Sequence, residues 1–322
     1  MDKNITKTLL SGVKPTGRPH IGNYFGAMKQ FVDNQDSHDS YVFIADYHAM
    51  NMIQNGEELR QGTLDIVLDY LAIGLDPKKV CLFKQSDVPQ VTELCVIFNT
   101  LTTMPYLMRA HAFKDAEAKN KEINVGTFDY PILMAADILI QDADVVPVGR
   151  DQKQHVEYAR DTAEKFNRIF GQGEEIFKLP EPLILADVET VPGIDGQKMS
   201  KSYNNTIPLF AEDEEIKKAC LSIVTDSSGE LPKNVYAIHK LFRDEDYLKK
   251  LYEENKGKYK ILKEALMADV IAFVTPIRER RKELAKNIPA VLEILKEGGK
   301  KANARAEAKM KKVREVIGVS LY

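Results

Sequence analysis

Over the first 190 residues, short apolar runs alternate with amphipathic stretches at helical spacing, the pattern of an α/β fold. The apolar runs predict strands at Thr8–Val13, Tyr41–Ala45, Val80–Phe83, Val145–Val148 and Pro182–Ala186. Helices are expected between them at Asn23–Phe31, Glu57–Ile73, Val91–Leu101, Thr127–Ile140 and Asp151–Phe170. Two of the strand runs are apolar throughout, as in a parallel sheet buried on both faces. Ligands of such sheets bind beyond the carboxyl ends of the strands, so the loop after Val13 and the residues after Val148 fall where a nucleotide belongs. Beyond Ile207 the strand pattern stops. Helical stretches follow at Glu212–Thr225, Val235–Phe242, Asp246–Asn255, Ile261–Thr275, Val291–Lys296 and Ala302–Ile317, with Pro276 expected to kink or end one and Gly298-Gly299 to end another. The expectation is a parallel-sheet domain over 1–206 followed by an α-helical domain over 207–322.

Composition narrows this picture only a little. A chain of 322 residues with 44% hydrophobic and 29% charged positions reads as globular. No apolar run approaches the roughly 18–20 residues of a membrane span, and the polar start MDKNITK does not read as a signal peptide. The three cysteines (Cys81, Cys95, Cys220) suggest neither a zinc site nor a disulfide framework, so a cytoplasmic location is expected. Net charge is −3, a poor match for a general nucleic-acid binder, but charge is unevenly spread. Lys300, Lys301, Arg305, Lys309, Lys311, Lys312 and Arg314 lie close together, either as a solvated helix face or as a contact for a nucleic-acid phosphate backbone.

Two motifs bring chemistry. The first is Ser11-Gly12-Val13-Lys14-Pro15-Thr16-Gly17, then His20-Ile21-Gly22-Asn23 opening a helix. Glycines admit a ligand close to the backbone, and a helix N-terminus favours phosphate. His20 and Asn23 supply hydrogen-bond donors without a bulky cation. A plain strand-to-helix turn with a capping Asn fits the same residues taken alone. The second is Gly196-Gln197-Lys198-Met199-Ser200-Lys201-Ser202, whose two ammonium groups suit charge developing at an α-phosphate and a departing pyrophosphate. A third constellation lies between them. Tyr130, Met134 and Asp137 recur at i, i+4 and i+7 and so share one helix face. One carboxylate beside a polarizable thioether suits an indole, which offers a single N–H donor and no acceptor, although a helix whose Met faces the core and whose Asp caps or faces water fits the same residues taken alone.

The pairing of the His20 loop with Lys198–Ser202 resembles the two signatures of class I aminoacyl-tRNA synthetases. Phe128–Leu139 and Val146–His155 narrow the resemblance to the bacterial tryptophanyl-tRNA synthetases, over nearly the whole catalytic half and more loosely at Ile223–Ser227. The tyrosyl relatives place Gln where Met134 stands. The resemblance implies a Rossmann-like catalytic domain and a helical anticodon-binding domain. It implies ATP with Mg2+ as substrate complex and no protein-bound metal. The partners it implies are L-tryptophan, tRNA(Trp) and a second copy of the chain, with no membrane.

Residue by residue, the resemblance makes His20, Lys198 and Lys201 catalytic. It gives ATP contacts to Lys14, Pro15, Thr16, Gly22, Asn23, Lys114, Gly149, Arg150, Asp151, Val191, Met199, Ser200 and Ser202, besides the two lysines. His48, Tyr130, Met134, Asp137, Ile138, Val146, Val148 and Gln152 would form the tryptophan site. Lys14 departs from the Gln that many relatives carry there, and Met108–Asp115 departs from the commoner wording before Lys114. His155 is left out of the expected site.

Overall fold

The computed structural model describes residues 6–118, 123–149, 153–184, 191–225 and 231–321. Five parallel strands form the sheet: β1 (Thr8–Val13), β2 (Asp39–Ile44), β3 (Val80–Lys84), β4 (Val145–Val148) and β5 (Glu181–Ile184), in the order β3-β2-β1-β4-β5. Two of the expected strands match residue for residue and the others shift by one or two positions at their ends. The last two residues of the expected Pro182–Ala186 run lie outside the described residues. β1 pairs with β2 along its whole length, from Thr8 opposite Asp39 to Val13 opposite Ile44. With β4 it pairs only at Leu9 opposite Val145. The two strands therefore part toward their carboxyl ends, and Pro147, which has no N–H to donate, sits in an interior strand where that donor is not needed. The strand order reverses at this same place, so the crevice for a ligand opens between Val13 and Val148.

The helices start and stop for identifiable reasons. Asn55 caps Gly56–Ile73 by accepting from the N–H groups of Glu57 (2.9 Å) and Glu58 (3.0 Å), and Gly74 closes it at φ 110°. Asn124 caps Val125–Ile140 by accepting from the Thr127 N–H at 2.7 Å. Pro131 lies inside that helix and leaves the Thr127 carbonyl without its helical partner, which loosens the turn carrying Tyr130. The stretch expected as one helix from Asn23 is a short α turn (Ile21–Asn23), a π turn (Tyr24–Met28) and a second α segment (Lys29–Asn34). Short helices at Asp46–Ala49, Met104–Leu107 and His111–Ala118 were not expected.

The last third is helical as expected, with two differences in where its helices stop. Pro276 does not end its helix, which runs Tyr259–Ala285. Gly298-Gly299 does not end a helix either, because a single helix spans Ile288–Val316. The glycines are there for proximity. A Cβ built on Gly298 lies 1.8 Å from the Leu82 carbonyl oxygen, so no side chain fits where this helix crosses β3. Ala302 and Ala306 continue the close contact, both fully buried in the cluster that holds Leu10, Phe43 and Phe98.

The basic stretch on that helix is largely spent on the chain itself. Arg305 donates to Asp39 (3.2 Å) and to the Thr8 hydroxyl (3.0 Å). Lys309 pairs with Asp142 at 2.6 Å, and Arg314 forks onto Glu93 at 2.8 and 2.6 Å. A second cluster joins Ile21, Ile44 and Tyr70 to Ile216, Leu266 and Leu295, so both apolar cores draw on residues from either side of Ile207. Among the described residues no helix is long and apolar enough to cross a membrane.

Candidate active site

At the carboxyl end of β1 the chain turns through Lys14–Pro19 and enters its helix at His20. The His20 Nδ1 accepts from the Asn23 N–H at 3.2 Å, and the Asn23 side-chain oxygen accepts from the His20 N–H at 3.1 Å. This reciprocal cap satisfies two helix-end donors and fixes the imidazole tautomer, leaving Nε2–H as the donor for a ligand. Burial pushes the His20 pKa down to about 4, with help from the nearby Lys201 ammonium, so the ring is neutral at pH 7. Gly62, in the middle of Gly56–Ile73, lets the loop lie against that helix, since a Cβ there would come within 2.8 Å of the Pro15 carbonyl oxygen.

The lysine motif folds into a hairpin. The Gly193 N–H donates to the Gln197 carbonyl at 2.6 Å, the Met199 N–H to the Val191 carbonyl at 2.9 Å, and Pro192 bridges Lys198. Met199 and Val191 are buried in the apolar cluster around Ile21. Burying such a side chain is worth roughly 1.5–3 kcal/mol, against about 0–1 kcal/mol for an exposed ion pair such as Arg18–Glu215. Apolar anchoring, not charge, therefore holds the hairpin. Asn205, also buried, completes it: its amide donates to Asp195 (2.7 Å) and to the Lys198 carbonyl (3.1 Å), and its oxygen accepts from the Ser200 N–H (2.8 Å). Lys198 is left exposed, with Ser200 and Ser202 hydroxyls 2.9 Å apart beside it. Lys201 reaches across to the first motif and donates to the carbonyls of Thr16 and Gly17, the latter at 2.9 Å. Burial lowers its pKa and the Asp69 carboxylate opposes that shift.

The Val125–Ile140 helix carries the third constellation. Asp137 is 4% exposed. Its carboxylate accepts from the Gln85 amide at 3.0 and 2.9 Å and from the His48 Nε2 at 3.0 Å. Burial raises its pKa, while the His48 and Gln85 hydrogen bonds pull the other way. Ile138 is buried on the same helix, and Val146 and Val148 are buried on β4. Met134 is half-buried against this cluster. Tyr130 is half-buried, its ring edge-on to His48 with centroids 6.2 Å apart and its hydroxyl bonded to His155 Nε2. Lys14 lies with its ammonium 5.7 Å from the Tyr130 ring centroid, joining the first loop to this pocket. It is open to solvent, yet enough protein surrounds it to lower its pKa by desolvation.

The structure thus brings Lys201 onto the loop that carries Lys14 and His20, and sets His48 against Asp137 and Tyr130, with Met134 on the same helix as the last two. Gly149 is exposed just past β4, and Lys114 is exposed on the His111–Ala118 helix. Arg150, Asp151 and Gln152 lie outside the described residues. The sequence reading missed Asn205 and discounted His155. A signal for the first was an Asn three residues past the motif, and for the second a His one helical turn beyond Gln152. Among the described residues no group of three or more His, Cys, Asp or Glu is placed to hold a metal ion.

Comparison with known proteins places the chain in a family. The family described as tRNA synthetases class I (W and Y) matches residues 3–293. The chain is 50% identical over 321 residues to a tryptophan–tRNA ligase of Fusobacterium nucleatum, covering 97% of this chain and 98% of that one. It superposes with TM-score 0.90 and 44% identity on the Campylobacter jejuni tryptophanyl-tRNA synthetase solved with ADP and tryptophan, over 97% of this chain and 99% of that one. The Mycoplasma pneumoniae tryptophanyl-tRNA synthetase superposes with TM-score 0.83 at 29% identity, over 98% and 99% of the two chains.

Proposed function

The chain belongs to the class I tRNA synthetases of the tryptophan and tyrosine family, and from that membership and its site we infer that it is an ATP-dependent ligase joining L-tryptophan to tRNA(Trp). In the first step an oxygen of the tryptophan carboxylate attacks the α-phosphorus of ATP in line, and pyrophosphate leaves. In the second, a terminal ribose hydroxyl of the tRNA attacks the carbonyl of the mixed anhydride and AMP leaves. No side-chain nucleophile takes part.

The observation that carries this assignment is the convergence of two motifs about 180 residues apart on one loop, where Lys201 meets the Thr16 and Gly17 carbonyls. His20 presents a neutral Nε2–H to the phosphates, and Lys198 and Lys201 neutralise charge that grows toward the transition state. The ATP set comprises Lys14, Pro15, Thr16, Gly22, Asn23, Lys114, Gly149, Arg150, Asp151, Val191 and the Lys198–Ser202 loop. Magnesium enters as part of the ATP substrate complex. Asp137 accepts the indole N–H, with His48, Met134, Ile138, Val146 and Val148 around the ring and Tyr130 and Gln152 at the ammonium and carboxylate.

Residues 1–206 carry this chemistry, and 207–322 read the anticodon. The working unit is a homodimer, supported by exposed apolar side chains at Met50, Met52, Val96, Met104, Met108 and Val125, several of them well over half exposed. The location is the cytoplasm. Pyrophosphate exchange measured across the twenty amino acids tests the whole: exchange with tryptophan alone is expected, and exchange with tyrosine, or with none, would end the reading. Sedimentation of the free protein as a single chain would remove the dimer.

A further inference from the structure

Gln85 touches Asp137 but has been given no role in the reaction so far. It opens the short 3-10 turn Gln85–Asp87 after β3 and is 1% exposed, a burial typical of the apolar core. Such a position is ordinarily apolar, because a buried amide without partners costs about 1–3 kcal/mol. Here each end of the amide is matched. Its oxygen accepts from the His48 backbone N–H at 3.3 Å, a group that only donates, so the amide cannot be turned round. Its nitrogen consequently faces Asp137 and lies 3.0 and 2.9 Å from the two carboxylate oxygens.

The turn itself is pinned. The Ser86 N–H donates to Asp46 at 3.0 Å, and Asp46 also accepts from the Tyr47 N–H at 3.0 Å, one residue before His48. Both donors to Asp137, the Gln85 amide and the His48 ring, thus hang from one braced unit formed where β2 and β3 end.

We propose that Gln85 is a specificity-determining positioning residue, which holds the Asp137 carboxylate as an oriented acceptor for the indole N–H. The assignment rests on Asp137 being the indole partner. A carboxylate has about four lone-pair directions, so Gln85 and His48 together still leave one for a ligand. They fix which one. An indole has a single donor and no acceptor, so its selection depends on that acceptor being in place and unprotonated. Gln85 never touches substrate; it acts through Asp137.

The test compares tryptophan with β-(3-benzothienyl)alanine, an analogue of the same shape with sulfur in place of the N–H, in pyrophosphate exchange by the full chain. Gln85→Met keeps the length and removes both amide ends. Gln85→Glu keeps the oxygen that accepts from His48 and sets a second carboxyl beside Asp137, which either repels that carboxylate or shares a proton with it. We expect the wild type to prefer tryptophan. Both variants should lower the tryptophan-to-analogue ratio of kcat/KM by about tenfold or more, the equivalent of one misaligned hydrogen bond. The loss should appear in KM for tryptophan, with kcat and KM for ATP within about twofold of wild type.

A wild-type ratio retained in Gln85→Glu, or a loss confined to kcat, overturns the role of Gln85 alone. A wild type that does not distinguish the two amino acids overturns the reading of Asp137, and the role of Gln85 with it. Thermal melts of both variants are run alongside. A ratio unchanged in the folded fraction counts against the proposal even where the melting temperature drops.

Discussion

The two ends of the cleft are built on opposite plans. At the proposed phosphate end stand a neutral imidazole and two exposed lysines, one of them lying across a pair of carbonyls. At the tryptophan end a carboxylate is sealed from water, with both oxygens already engaged by buried partners. The difference follows from the ligands. A triphosphate brings its own charge and changes during reaction, so its partners gain by arriving late and meeting the transition state. An indole brings one weak donor, and only a desolvated, pre-aimed acceptor makes that donor decisive.

If the two ends are separable in this way, the largest effect belongs to Lys198→Ala. Adenylate formation should fall by about 10²–10³, roughly 3–4 kcal/mol of transition-state stabilisation, while equilibrium binding of tryptophan is unchanged. A parallel loss of tryptophan binding would break the separation.

Next in size is a pH effect at the phosphate end. The folded His20 titrates at about 4 against 6.5 for the free side chain. Between those values the unfolded chain takes up a proton that the folded chain refuses, so His20 withdraws stability as pH falls through the window. The full difference is on the order of 3 kcal/mol. Denaturant unfolding of His20→Gln between pH 7 and pH 4 should show a correspondingly flatter decline; an unaltered slope would mean the ring is not held neutral.

Asp137→Asn tests the other end. Selection of tryptophan over phenylalanine should drop by about 2 kcal/mol, roughly thirtyfold, since an amide turned by Gln85 and His48 is a poorer acceptor than a carboxylate. KM for ATP serves as the control that must stay put. The smallest expected change sharpens the contrast further. Asn205→Ala should raise KM for ATP by about tenfold through a looser lysine hairpin and leave KM for tryptophan alone. Equal shifts in both constants would show that the hairpin also shapes the amino acid pocket.

How far the sequence could be read followed from the range of each interaction. The parallel sheet was readable because Val80–Phe83 of β3 and the whole of β4 are short runs of apolar side chains. Those runs leave no helical alternative. The sheet-like pairing of Met199 with Val191 was not readable, since it depends on a hairpin closing around Asn205. Gly298-Gly299 misled for a related reason. Glycine is a helix terminator in local terms, but here the backbone of β3 passes too close for any side chain, and the packed helix continues. The ion pairs of the basic stretch were hidden in the same sense, because its partners Asp39, Glu93 and Asp142 come from distant parts of the chain.

By itself, then, the sequence determined the class of sheet, the order of the motifs and the residue types that the two loops and the Tyr130–Asp137 helix face present, because spacing along a strand or helix is local geometry. Only the tertiary structure decided that Lys201 lies on the Thr16–Gly17 carbonyls, that Asp137 is fastened by Gln85 and His48, and that the last long helix is locked to the sheet. Those are contacts between segments tens to hundreds of residues apart. Burial and desolvation, which give them their strength, exist only once the chain has closed around them.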